Sequence, residues 1–459
     1  MTHTERPAEP ARKAESTRTT EYTETTAPAE TTAPAPKRQL PKALRPFRHR
    51  DYRLVIGSVA ASLFGTGLWM VAVAWQVIAL GGGPAQLSVV ATASSLGLLL
   101  CVLFGGVAAD RVPQRALLRA VELTRVLATG AAAALALTGS LQLWHLAVVA
   151  FVLGSAEAFF YPAYSALLPA MLPADELLAA NGVEGTLRPI AAWALGPALA
   201  GVVVGTFAPG VAFGLTAVIY LLALGALLLM RSVPGVERAE RASLLRDLGE
   251  GFGYLFRTGW LFATLAFATL YVLMIIGPIE VLLPFVVRDQ VGGGAGEYAT
   301  VLAAFGIGGA AGSLLVSSWR LPRRYLTWML LLWGAGAAPL VLIGLTRQLW
   351  VMAAATFVVG ATGAVAMVIW GTLLQRRVPP RLLGRVSGLD FFVSLALMPI
   401  SMALAGPVGE WLGLGFTFVL AGSVPVLLAV AAILAWRLPE DEIAHPLDTA
   451  PESERGDAA

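Results

Sequence analysis

"GGVAADRVPQRALL", Gly105 to Leu118, sets one acid and two arginines directly after a long apolar run and then returns to apolar residues. The pattern recurs. "DRVPQRAL" from Asp110 aligns without a gap to "WRLPRRYL" from Trp319, so that Arg111 meets Arg320, Pro113 meets Pro322 and Arg115 meets Arg324. Two further matches fall at nearly the same offset: "LLPAMLP" ending at Pro173 against "LLQRRVP" ending at Pro379, and Gly196-Pro197 against Gly406-Pro407. Similarity at equivalent places in two stretches of chain is the mark of an internal duplication.

What is duplicated is a set of hydrophobic spans. A chain with 57% hydrophobic and only 13% charged residues, and a mean hydropathy of +0.73, belongs in a bilayer. Six apolar segments lie between Leu54 and Met230 and six more between Leu261 and Trp436. Each holds about 20 residues, enough at 1.5 Å per residue to cross a ~30 Å hydrocarbon core as a helix. They are too long and too rich in Gly and Ala for barrel strands.

Charge in the loops orients the spans. Lys37, Arg38, Lys42, Arg45, Arg48, Arg50 and Arg53 precede the first. Arg111, Arg115 and Arg119 follow the second, and Arg376, Arg377, Arg381 and Arg385 follow the tenth, whereas the loops on the other side offer only Arg288 and Arg347. Basic loops stay in the cytosol, so both termini are expected there and the protein is expected to be multi-pass in the cell membrane. The predicted fold is all-α and polytopic, with twelve transmembrane helices in two pseudo-symmetric six-helix halves. Residues 1–46, rich in Thr, Pro, Ala and Glu, are expected to be a disordered cytosolic tail. The halves are placed at 47–231 and 260–438, and a disordered tail is expected over 439–459. The linker 232–259 carries Leu244, Leu245, Leu248, Phe252 and Leu255 at helical spacing and is expected to hold an amphipathic helix.

The stretch from Phe47 to Leu438 resembles the major facilitator superfamily. In that superfamily the loop between the second and third helices reads Gly, three residues, Asp, Arg, any, Gly, then basic residues. Here Gly106, Asp110, Arg111 and Arg115 match, Pro113 replaces the second glycine and Gln114 one basic position. "FRHRDYRL", "FFYPAYSALLPAMLPADELLAANG" and "GPIEVLLPFVVRD" resemble its drug/proton antiporter group, which includes macrolide-efflux proteins and the enterobactin exporter. The resemblance implies that the charged loop gates transport, bracing the first half against the eleventh helix while the cavity is open outward, with Asp390 available to meet Arg111 or Arg115. Gly196, Pro197 and Gly201 in "ALGPALAG" resemble the group's helix 5 pattern, with Ala200 in place of one glycine. Gly306, Gly308, Gly309 and Gly312 offer the expected partner face. The plainer readings are loop charge that serves topology alone and small residues that only pack.

Ionisable groups inside spans are costly and mark coupling or substrate sites. Glu122 and Arg125, three apart, read as a local neutralising pair. Glu157 and Glu280, with Arg125, are the candidates for proton and substrate coupling. For Glu157 two readings stand: a coupling acid, or the permanent partner of Arg125. The four histidines, His3, His49, His145 and His445, lie outside the spans and form no metal-ligand spacing. There is no Gly-rich Lys-Ser/Thr loop for a nucleotide. No metal, cofactor, catalytic residue or nucleic-acid partner is expected. The expected function is proton-coupled efflux of a small lipophilic or amphipathic compound by a monomer working through alternating access. Export of a siderophore or other metabolite is the alternative, with a transporter-like sensor behind it.

Overall fold

The structure, a computed structural model, describes residues 42–231, 252–317 and 321–447. Twelve helices are long and apolar enough to cross a membrane. They are α1 (Arg50–Ala79), α2 (Pro84–Arg111), α3 (Gln114–Leu137), α4 (Leu143–Met171), α5 (Ala174–Thr206) and α6 (Pro209–Leu228) in the first half. The second holds α7 (Gly259–Val291), α8 (Ala295–Ser317), α9 (Tyr325–Leu345), α10 (Leu349–Arg377), α11 (Leu382–Leu412) and α12 (Leu414–Ala435). The turns between them are cut by glycine and proline. Gly81, at φ 77°, ends α1 in a left-handed conformation that other residues resist, and Pro84 opens α2 where its missing N–H is not needed.

The two halves repeat their packing as well as their sequence. In the first, α2 lies against α4 at backbone contact: a side chain on Gly105 would strike the Ala158 carbonyl, and one on Gly154 the Ser94 carbonyl. In the second, α8 lies against α10 in the same way, with Gly308 on Phe357, Gly312 on Ala361 and Gly360 on Phe305. Without a hydrophobic drive between helices in lipid, close packing of this kind is what holds them.

Three apolar clusters make up the core. On the face that carries Ala79 and Leu137, here the far face, one cluster runs without a break through both halves, from Leu68 and Val77 of α1 to Phe285 of α7 and Phe418 of α12. On the near face, where the described chain begins and ends, there are two. Tyr52, Leu118 and Tyr164 belong to one, confined to the first half, and Trp260, Met329 and Trp370 to the other, confined to the second. The apolar core is thus continuous between the halves at the far face and divided into one cluster per half at the near face.

The boundaries differ from expectation at both ends. The short 3-10 helix Lys42–Arg48 straddles the boundary expected at residue 46, so the end of the supposed tail is helical, and the next residue, His49, meets Glu176 at the start of α5, 3.0 Å away. Leu438–Ala444, placed at and beyond the end of the second half, is helical and packed. Its Glu442 accepts from the backbone N–H (2.6 Å) and the hydroxyl (2.9 Å) of Thr327, capping α9, and its Asp441 pairs with Arg377 of α10 at 2.5 Å. Of the linker helix, Leu244, Leu245 and Leu248 lie outside the described residues, while Leu255 is buried against the near-face cluster of the second half. Residues 1–41, 232–251 and 448–459 also lie outside them.

Burial raises the pKa of Glu442 above the ordinary glutamate value, against the opposing pull of its hydrogen bonds to Thr327. A raised acid binds protons more tightly folded than unfolded, so this clasp is firmest below the usual glutamate range and weakens as pH rises through the raised value. Thermal unfolding at pH 5 and pH 8 should show that slope in the native chain and lose it in Glu442→Gln. Glu442→Ala, which removes the cap, should lower stability by roughly 0.5–2 kcal/mol.

Candidate functional site

Between the halves, beneath the far-face cluster, lies a cavity of about 410 Å³. Its wall is drawn from α1, α2, α4 and α5 of the first half and α7 and α11 of the second, and three charged side chains reach it: Glu157, Arg188 and Glu280. A second cleft of about 620 Å³, between Tyr161 and Glu184 on one side and Met367 and Gly371 on the other, separates α4 and α5 from α10 on the near side.

Two departures from regular helix aim side chains into this space. Helix α7 widens to a π-turn over Pro278–Leu282, where proline supplies no N–H and the N–H of Gly277 turns instead to the Ser401 hydroxyl of α11 at 2.9 Å. A side chain on Gly277 would strike the Ser401 carbonyl, so α7 and α11 touch at backbone there. The π-turn leaves Glu280 on the cavity wall. Helix α5 does the same over Pro189–Leu195 and presents Trp193. Inserted turns of this type break the 3.6-residue period and are common at functional sites.

The candidate acids meet different surroundings. Arg125, 3% exposed, donates to Glu122 Oε1 at 3.2 Å and to Glu157 Oε2. Ser62 of α1 donates to the same Glu122 oxygen, and the rings of Phe160 and Tyr220 lie 4.8 and 5.5 Å from the guanidinium. Glu122 is wholly enclosed, whereas Glu157 is 37% exposed toward the cavity. Arg188 is taken up by Glu184, at 2.6 Å on Nη2 and 3.0 Å on Nε. Glu280 has no hydrogen bond or ion pair among the described residues. The structure thus joins Glu122, Arg125 and Glu157 into one network, with Glu280 apart from it on the same cavity.

The far face is shut by contacts between the halves. Gly201 lets α5 lie on α8, where a side chain would come within 2.6 Å of Ala299 Cβ; Gly196 packs on α1, against the Phe64 carbonyl. Pro197 lies between them and fits against Gly67. Of the glycines expected to face α5, Gly306 does so, against Trp193, but Gly308 and Gly312 seat on α10. Ser88 accepts from the Gly406 N–H at 2.7 Å, and Glu410 of α11 caps the start of α2 by accepting from the Ala85 N–H at 3.0 Å. Glu410 went unnoticed in the sequence because its partner lies 325 residues away.

At the near face, Gly106 has open space around it and Arg111 is exposed, while the Asp110 side chain lies outside the described residues. The pairing anticipated for Asp390 with Arg111 or Arg115 gives way to partners within the second half: Asp390 accepts from Trp370 Nε1 at 3.0 Å and from Ser394 at 3.4 Å. Ser394 lies one turn along α11 and Trp370 on α10, so both donors come from the same half as Asp390.

Twelve membrane helices in two like halves around a shared cavity define the major facilitator fold. The chain belongs to the transmembrane secretion effector family of that superfamily, whose model matches residues 42–455. It is 30% identical over 405 residues to the multidrug efflux pump Tap of Mycolicibacterium fortuitum, covering 85% of this chain and 97% of that one. It is 25% identical over 385 residues to macrolide efflux protein A of Streptococcus pyogenes, covering 81% and 92%. The fold matches the crystal structures of the nucleoside transporter NupG (TM-score 0.66, 12% identity, 84% of this chain and 99% of that one) and of a POT family transporter in complex with 5-aminolevulinic acid (TM-score 0.67, 13% identity, 84% and 96%).

Gly201→Val should wedge the far face open. Overpacking costs about 1–3 kcal/mol, and if that cost falls on a far-face-closed state alone it shifts the balance between states by about fivefold to a hundredfold. A cysteine at Trp193 in a Cys101→Ser background should then react faster with an impermeant maleimide supplied from the far side. An unchanged rate would mean that Gly201 is ordinary packing.

Proposed function

We propose that the protein exports small lipophilic or amphipathic compounds from the cell by alternating access, driven by proton entry. The observation that carries this reading is the cavity itself, walled by both halves, roofed by one continuous apolar cluster and split from the near side by a cleft. The near face, with its arginines, is the cytosolic one, and both termini lie on that side of the cell membrane. The described state is then the inward-facing one. The relatives named for multidrug and macrolide efflux support export and the substrate class.

Each candidate residue takes a role in this cycle. Gly106, Asp110, Arg111 and Arg115 form the cytosolic gate, and Asp390 joins it when the halves close on that side, leaving Trp370. Gly196, Pro197 and Gly201 close the outer side. Arg125 and Glu157 are a standing pair that keeps α3 on α4, since breaking it would remove one of the two carboxylates that satisfy a guanidinium in a low-dielectric interior. The proton is carried by Glu280, which has no partner to lose. The single chain contains both halves and works as a monomer.

Cells overproducing the protein should expel a fluorescent lipophilic dye, and an uncoupler should stop them. Glu280→Gln, at equal expression, should retain dye binding but lose most proton-driven efflux, roughly tenfold or more for an essential proton-transfer group. Glu157→Gln should lower stability by leaving Arg125 with Glu122 alone, while surviving protein keeps its pH dependence. Efflux that ignores the uncoupler would refute proton coupling. Normal pH dependence in Glu280→Gln, with its loss in well-folded Glu157→Gln, would move the proton to Glu157.

A further inference from the structure

We propose that the second half carries, on its outer surface, a seat for one anionic phospholipid: an acyl chain lies in the groove between α8, α9 and α10, and the headgroup phosphate is held by Arg323 and Arg324 at the near-face end. The seat stands apart from the cavity between the halves.

Two adjoining hollows make it. The larger, about 860 Å³, runs between α8 and α9 over α10. The smaller, about 420 Å³, lies between the loop before α9 and the C-terminal helix Leu438–Ala444, and the two share Leu321 and Pro322. The larger is apolar. No charged residue borders it among the described residues, and its Thr362 and Thr372 turn their hydroxyls to the Val358 and Val368 carbonyls one turn back on α10, each at 2.9 Å, so those donors are spent. From Phe357 to Thr372 it follows α10 for about 22 Å at 1.5 Å rise, the depth of one leaflet of a ~30 Å core and somewhat more. Its floor is fixed: Val365 and Ile369 belong to the near-face cluster of the second half, and α8 touches α10 at backbone through Gly308 and Gly312. A preformed apolar trough of this shape accepts a flexible chain at low ordering cost to the protein.

The mouth is basic. Arg323 and Arg324 are exposed, and neither makes a hydrogen bond or ion pair among the described residues. The acid in the same recess, Glu442, is engaged by Thr327, and it feels the charge of Arg324 without pairing to it. Two free guanidiniums match a phosphate, and basic recesses beside membrane helices are where anionic headgroups lodge. Trp328, exposed one turn into α9, is of the residue type that favours the level where chain meets headgroup.

The internal repeat points the same way. Where "DRVPQRAL" aligns with "WRLPRRYL", Arg323 stands in place of Gln114 and Trp319 in place of Asp110, so the loop of the second half has a cation more and an acid less than its counterpart. All walls of the seat belong to that half, and it stays assembled whichever way the halves stand. Val368 and Thr372 border the groove while Met367 and Gly371 of the same helix border the near-side cleft, so the lipid backs a helix that lines the way to the cavity.

Native mass spectrometry of the purified full-length protein, titrated in detergent with phosphatidylglycerol or phosphatidylcholine, tests the seat. One phosphatidylglycerol should be retained roughly tenfold or more tightly than phosphatidylcholine, which offers the same chains without net charge. Arg323→Gln combined with Arg324→Gln should abolish the preference, and Arg323→Lys with Arg324→Lys, which keep the charge, should retain most of it. Val368→Trp, which fills the groove and leaves both arginines in place, should lose the tightly held lipid. Glycerol 3-phosphate at equal concentration should not displace it. Equal retention of the two lipids, a preference that survives in the double Gln variant, or tight binding unchanged in Val368→Trp would overturn the proposal. Displacement by glycerol 3-phosphate would make the site one for soluble phosphate, and dimers cross-linked through Val368→Cys in a Cys101→Ser background would give the groove to a second copy; either result contradicts a lipid seat. None of these measurements involves transport, so they decide the matter whether or not the protein exports the compounds proposed above.

Discussion

A charge without a partner inside a bilayer is expensive, and the interior of this protein is arranged around that cost. Arg125 is wrapped by two carboxylates and two aromatic rings, with Ser62 of α1 donating to one of those carboxylates, and together these contacts draw α1, α3, α4 and α6 into one body. Arg188 is settled within α5 by Glu184 one turn away. Glu280 is left out, and it sits on the one wall where water, a proton or a substrate can supply what the protein does not. The same rule that stabilises the fold thus singles out Glu280 as the acid to which the proposed function assigns the proton.

The second constraint is how the halves meet. Far-face contacts are made by backbone at glycine, by a serine hydroxyl and by a carboxylate on a helix start, all of them short-range and lost with small separations. At the near face Asp390 and Arg377 find their described partners within the second half, Trp370 and Ser394 holding Asp390 and Asp441 holding Arg377. Two rigid bodies joined through such an interface can rock about the cavity between them without melting either core.

Span number, duplication and near-face charge were legible in the sequence because each rests on composition or on spacing along one helix. The Glu122–Arg125 pair followed from their separation by three residues, and Arg125 was already in view as the possible partner of Glu157. The π-turns of α5 and α7 were not legible: each opens at a proline that withholds an N–H, and at α7 the neighbouring α11 takes up the freed Gly277 N–H, which a period of 3.6 cannot register. Nor was the choice of Gly308 and Gly312 for α10 over α5, since a glycine stripe does not say which neighbour it faces. Glu410 and Leu438–Ala444 escaped for a related reason, their partners lying far away in the chain. Asp390 was expected to meet Arg111 or Arg115, and the structure gives it Trp370 and Ser394 instead, a choice that depends on the packing of α10 on α11.

Spin labels placed in pairs across the halves test the central claim most directly, that the two bodies rock about one cavity. Leu178 and Met367 mark the near face, Phe207 and Trp411 the far face, and all four are exposed. When pH is lowered or a transported compound is added, the near-face distance should shorten as the far-face distance lengthens, in matched populations. Distances that stay fixed, or that lengthen together, would contradict it.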